Sequence, residues 1–244
     1  METFVFVTIG AFLGGFVNGF AGFGIALFAL GWFLQVMAPL EAVALTLAAG
    51  VATGAPGLLV VWRRMEPWLL ARFMLPALVG IPFGTALLAF VSARTLVAFV
   101  AVLLIGYGAF TLARANMPRL TGDRPVTDTG VGFLGGVMGG MAGLSGVAPT
   151  IWLSMRDWSK GRTRGLLQPF NTVILLMSAV AVALRGGYTG ETLVHIGLGL
   201  PGMATGFGAG LFFYRRVGDG GFRRALVALM LLSGFALVVQ LALD

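Results

Sequence analysis

The chain has no cysteine, one histidine and only nine acids in 244 residues. Without cysteine there are no disulfides and no thiolate metal sites. A lone His among so few carboxylates leaves little from which to build a metal centre, and no cofactor is expected. No phosphate loop, nucleotide fingerprint or nucleophile–base pair stands out, so an enzyme is not expected. The opening Met1-Glu2-Thr3 lacks a basic stretch, so no cleaved signal peptide is expected.

What is present is apolar. Hydrophobic residues make up 58% of the chain and charged residues 10%, with a mean hydropathy of +0.97. No soluble domain of this size buries that much apolar surface. The class is a polytopic membrane protein, and the long periodic runs suit helices rather than a barrel. A net charge of +7 invites a nucleic-acid reading. The Lys and Arg sit in short loops, however, where they set orientation, so the lipid bilayer and not nucleic acid is the expected surroundings. Trp32, Trp62, Trp68, Trp152 and Trp158 lie near the ends of apolar runs, as interfacial anchors do.

Glycine is the other abundance, and it is patterned. The stretch Phe12-Leu-Gly-Gly-Phe-Val-Asn-Gly-Phe-Ala-Gly-Phe-Gly24 returns as Phe133-Leu-Gly-Gly-Val-Met-Gly-Gly-Met-Ala-Gly-Leu-Ser145. Seven of thirteen positions are identical without a gap. Such duplication means two related halves. A Gly-rich interruption at matching places in two membrane halves points to a transporter's substrate site.

The spans follow from length. Residues 3–40 are uncharged and too long for one crossing. They read either as two half-helices meeting near Asn18–Gly24 or as two short full spans. Spans are expected at 41–62, 68–90 and 95–113, then a polar linker at 114–129. The second half holds the Gly-rich segment 130–155, a basic loop at 156–164, and spans at 165–184, 192–213 and 222–243. The first repeat is thus 1–113 and the second 130–244.

The charges constrain the topology. If all eight segments cross, seven basic residues face one side and nine the other, which is no orientation signal. If 130–155 enters and leaves by the same face, fourteen of the sixteen gather on one side, leaving Arg94 and Arg185 opposite. That bias fits cytoplasmic loops. Residues 130–155, and by the repeat 3–40, are therefore expected to be re-entrant hairpins. The linker and the 156–164 loop are then cytoplasmic. Thr121 should face the cytoplasm and Tyr188 the outside. Each half becomes a Gly-broken hairpin plus three crossings, an odd number, so the halves are inverted: an all-α transporter architecture.

A helix that starts at a break points its positive dipole end inward. Two such ends, near Gly22, Phe23 and Gly24 and near Gly143, Leu144, Ser145 and Gly146, would converge on an anion without a buried Lys or Arg. Ser145 is a natural N-cap there, and Asn18 offers an amide nearby. Uncharged donors suit a small anionic substrate that must bind and leave: Gln168 and Asn171, three apart on one helix face, with Thr46 or Thr53 from the matching span. Interhelical hydrogen bonding is their bland alternative. Glu41 reads as a helix N-terminal acid before an acceptor of a coupling proton, His195 as a solvated or packed residue before a proton relay, and Arg156, Arg162 and Arg164 as orientation charges before attractors of anions at the cytoplasmic mouth.

The paired signatures Gly14–Gly24 and 135–145 resemble those of the sulfite exporter TauE/SafE family of membrane transporters, over essentially the whole chain. This chain has Ser145-Gly-Val-Ala-Pro149 where a more Gly-rich start to the second half-helix is usual. The resemblance implies movement of sulfite or organosulfonates across the bacterial inner membrane. An anion channel on the same scaffold and a non-transporting assembly component remain the rivals. Direction of transport, coupling ion and oligomeric state are not legible.

Overall fold

The computed structural model describes residues 2–113, 120, 122–156 and 158–243. Thr121 lies outside the described residues. Among those described, the chain is helical throughout, and its helices follow the apolar runs: α1 Glu2–Ala21, α2 Ile25–Phe33, α3 Pro39–Val61, α4 Pro67–Leu88 and α5 Ala93–Ala113. They continue as α6 Pro125–Ala142, α7 Val147–Ser154, α8 Lys160–Ala183, α9 Gly190–Arg216 and α10 Asp219–Leu243. Helix α6 begins at Pro125, inside the stretch expected as linker, because proline at the first helical position has no N–H to leave unsatisfied.

Among the described residues, six helices are long and apolar enough to cross a membrane: α1, α3 with its 3₁₀ extension to Arg64, α4, α5, α8 and α9. Helix α10 holds a shorter apolar stretch, Met230–Val239. Helices α2 and α7, of nine and eight residues, cannot cross. At ~1.5 Å per residue they span about 12–14 Å of a ~30 Å hydrocarbon layer.

Both interruptions fall at left-handed glycines. Helix α1 stops before Gly22 (φ 83°) and Gly24 (φ 93°), and α6 stops at Gly143 (φ 70°). A side chain at any of these three would be strained. Each short helix then runs back along its partner. Phe6 near the start of α1 meets Trp32 near the end of α2, ring centres 5.9 Å apart. Asp128 in the first turn of α6 accepts from Trp152 at the end of α7 at 2.7 Å.

The main packing pairs are α1 with α9, α4 with α6, α3 with α8 and α5 with α10. Exchanging the halves turns the first pair into the second and leaves the others unchanged. Glycine makes the first two possible. A Cβ on Gly15 or Gly19 would overlap the carbonyls of Met203 and Phe207; one on Gly136 or Gly140 would overlap those of Ala77 and Ile81. Backbones touch directly along both seams, the small-residue packing of membrane helices.

Ion pairs and a hydrogen bond tie the ends of these helices. Arg162 at the start of α8 donates to both carboxylate oxygens of Glu66 before α4, at 2.7 and 2.9 Å. Arg156 donates to Asp128 at 2.8 Å. At the opposite end of α3, Glu41 sits 2.8 Å from His195 of α9. Read from sequence as separate, Glu41 and His195 are partners. Trp62 and Trp68 are exposed as anchors should be, but Trp152 is buried against Asp128, so it anchors a carboxylate rather than a lipid headgroup.

Candidate functional site

The two helix breaks meet in the interior. Phe23, between the two left-handed glycines of the first break, is fully buried. It packs on Gly146, where a Cβ would stand 2.8 Å from the Phe23 Cβ. At the second break a Cβ on Gly143 would contact Ala26 at 3.5 Å and Thr46 at 3.3 Å. Glycine at 146 lets the breaks approach this closely, whereas glycine at 143 is required by its φ of 70°. Phe23, Val147, Thr150 and Tyr107 enclose a small apolar space beside them that admits no water.

Polar side chains surround the breaks, and all are closed off from solvent. Asn18 donates its Nδ2 to Thr53 Oγ1 at 2.7 Å, and Thr53 in turn donates to the Ala49 carbonyl. Across the interior Ser145 Oγ donates to Asn171 Oδ1 at 2.5 Å. Gln168 Nε2 donates to the Gly54 carbonyl at 3.3 Å. Of these side chains, two keep an atom without a partner, Asn18 Oδ1, an acceptor, and Asn171 Nδ2, a donor; Thr150 Oγ1 in α7 is unpartnered as well. Buried polar atoms usually find partners, so the two Asn side chains leave an unused acceptor and an unused donor beside the helix breaks.

Several sequence-derived expectations change here. Ser145 is not the N-cap of α7; Gly146 holds that position, and no side chain caps it. The Ser145 hydroxyl is directed to α8 instead. Thr46 is buried beside Gly143, but its hydroxyl donates to its own helix at Ala42 O, 2.7 Å away, the usual fate of an in-helix threonine. Gln168 and Asn171 share a face of α8 yet serve different breaks: Gln168 lies against Gly22 and Asn171 against Ser145. Gly24 caps the start of α2, and Leu144 packs in the core.

The largest departure is Arg164. A site free of buried cations was expected, and Arg164 was read as a loop charge. It lies one turn inside α8 and is 2% exposed. Its Nη2 donates to the Gly19 carbonyl at 3.0 Å and its Nη1 to the Phe20 carbonyl at 3.4 Å. Its guanidinium stands 4.1 Å from the Tyr214 ring centre. The spacing of Arg164, Gln168 and Asn171, four then three residues, was the available signal.

Between α4, the start of α6 and the start of α8, a cavity of about 660 Å³ opens, lined by Glu66, Arg72, Asp123, Arg156, Trp158 and Arg162. Hydrogen bonding to Arg162 holds the Glu66 carboxyl below its ordinary value, and Arg72 does the same for Asp123. At the other end of the molecule, burial pushes the Tyr188 phenol up to about 12. Its hydroxyl donates to the Ala44 carbonyl at 3.1 Å.

No curated protein and no solved structure matches the chain. The family model described as "Sulfite exporter TauE/SafE" matches residues 7–237. With nearly its whole length covered, glycine-broken hairpins included, this chain belongs to the TauE/SafE sulfite exporter family of membrane transporters.

Proposed function

We propose that the protein is a secondary transporter for a small sulfur-containing anion, sulfite or an organosulfonate, in the bacterial inner membrane. Substrate is held between the two helix breaks, facing the starts of α2 and α7, and reaches either side by rocking of the halves. Phe23 against Gly146 is the observation that carries this reading, because it brings both interruptions to one buried spot. Family membership supplies the substrate class.

In this reading the hairpins α1–α2 and α6–α7 are re-entrant and the halves inverted. The support is in the end contacts. Asp128 bonds Arg156 and Trp152, so α6–α7 returns to the end at which it entered. Arg162 bonds Glu66, which sets that end beside the loop after α3. The α1–α2 pair closes on Phe6 and Trp32 and leads into the opposite end of α3, where Glu41 meets His195. The basic end is then cytoplasmic by the excess of Lys and Arg.

Uptake of labelled sulfite into proteoliposomes tests the site. Ser145→Asp places a negative charge on Asn171 and should abolish uptake, whereas Ser145→Thr should keep much of it. Undiminished uptake by Ser145→Asp rejects the site. Single-channel current without counterflow would favour a channel, and no flux from the purified protein would favour an assembly role.

A further inference from the structure

Two arginines are buried among the described residues, Arg156 and Arg164, and they are treated differently. Arg156 has the Asp128 carboxylate at 2.8 Å. For Arg164 no carboxylate among the described residues lies within ion-pairing distance, 4.0 Å. Its polar contacts are the two carbonyls that end α1, Gln168 Oε1 at 3.5 Å and the uncharged Tyr214 side chain, and its Nε has no partner. A charge withdrawn from water without a counter-ion is expensive, and in a membrane protein it marks the path of an ion or substrate. The carbonyls of a helix C-terminus carry only a partial negative charge, a weak substitute for an anion.

The unpaired nitrogen has a direction. A Cβ on Gly22 would sit 3.2 Å from Arg164 Nε and 2.7 Å from Gln168 Oε1. The bare glycine at the first break therefore faces the guanidinium edge. From these observations we infer that Arg164 is the counter-charge of the transported anion. In the closed form it rests on the Gly19 and Phe20 carbonyls, and it turns to the anion when substrate enters beside Gly22. The inference builds on the transport reading of the same site. It also sets a ligand class. A guanidinium offers parallel N–H donors to two oxygens on one atom, so sulfite and sulfonates are preferred over a spherical halide.

The alternative is that Arg164 only caps α1. Thermal unfolding of the purified full-length protein, with sulfite, methanesulfonate or chloride at equal ionic strength, separates the two alongside sulfite uptake. For the wild type, sulfite and methanesulfonate should raise the melting temperature and chloride should not. R164Q should melt no lower than the wild type without anion, lose the sulfite shift, and lose at least about tenfold in uptake, because a guanidinium and not a neutral donor is required. R164K should keep a shift but need about tenfold more sulfite and lose the preference over chloride. An R164Q that melts early yet keeps the full sulfite shift overturns the inference in favour of capping. Should R164Q fail to fold, R164K decides, and unchanged affinity and selectivity in it would sink the idea. Wild type that shows the Arg164-dependent shift but no flux would overturn the transport reading while leaving the anion site standing.

Discussion

Phe23 and Gly146 lie 123 residues apart in sequence and touch, one from each helix break. Gly146 has an ordinary φ of −78°, so glycine is needed there for space and not for conformation. Gly146→Ala should therefore be destabilising by about 1–3 kcal/mol through overpacking alone. Phe23→Leu in the same chain should recover part of that loss. A double-mutant cycle of thermal unfolding checks it, with coupling on the order of 1 kcal/mol expected for a direct contact.

The glycine seams give a paired contrast. At Gly136 a methyl would run into the Ala77 carbonyl, which is backbone of α4 and cannot rotate away. Gly136→Ala should separate α6 from α4 at roughly 3 kcal/mol or more. Gly106 in α5 has nothing within 4 Å of the same position. Gly106→Ala should be neutral, or stabilise by about 0.5 kcal/mol through reduced backbone freedom. Comparable melting temperatures for the two variants would contradict the seam.

How much of this was legible beforehand differs from residue to residue. The membrane class and the family followed from composition and from the duplicated Phe-Leu-Gly-Gly and Ala-Gly pairs, because those features are local. Glycine marks where a helix stops, and the helices do stop at Ala21 and Ala142. Arg164 was hidden by its neighbours. Among so many charges at 156–164 it reads as loop, yet α8 starts at Lys160 and carries it one turn inward. The carbonyls it meets, Gly19 and Phe20, lie in the other half of the chain. Trp152 and the Glu41–His195 pair escaped for the same reason: which groups face each other across 24 or 154 residues is decided by packing, and no local pattern records it.

Asp128 holds both ends of the second hairpin together. It is buried and accepts from Trp152 and Arg156. Asp128→Ala would leave Arg156 buried without an anion, a loss of about 3–5 kcal/mol. Asp128→Asn keeps acceptors for Trp152 and should fall between. Detergent-solubilised protein followed by circular dichroism on heating gives the order, and an Asp128→Ala as stable as the wild type would remove the Asp128 tie.

The Glu66–Arg162 bridge should respond to acid. Its carboxyl is lowered from an ordinary value of 4.5, chiefly by the hydrogen bond from Arg162. A group with a depressed folded value stabilises fully above its unfolded value and loses that contribution as pH falls through the folded one. The bridge therefore holds at neutral pH and weakens below about 4.5. Both side chains are nearly half exposed, so the effect should be small and should shrink in high salt. Glu66→Gln should flatten the acid limb of the stability profile, which unfolding midpoints between pH 3 and 7 would reveal.

The absence of cysteine makes topology directly readable, since any single introduced thiol is the only one. Ser92, between α4 and α5, and Ser159, before α8, are both exposed. If every segment crossed once, the loops holding Ser92 and Ser159 would lie on the same side. With α6–α7 entering and leaving by one face, they lie on opposite sides, and Ser159 joins Arg63 at the basic end. In right-side-out vesicles, Ser92→Cys should react with a membrane-impermeant maleimide, while Ser159→Cys and Arg63→Cys should react only after permeabilisation. Labelling of Ser159→Cys from outside would mean that α6–α7 traverses the bilayer. The relation between the halves would then be parallel, and α2 and α7 could no longer face one substrate from opposite sides.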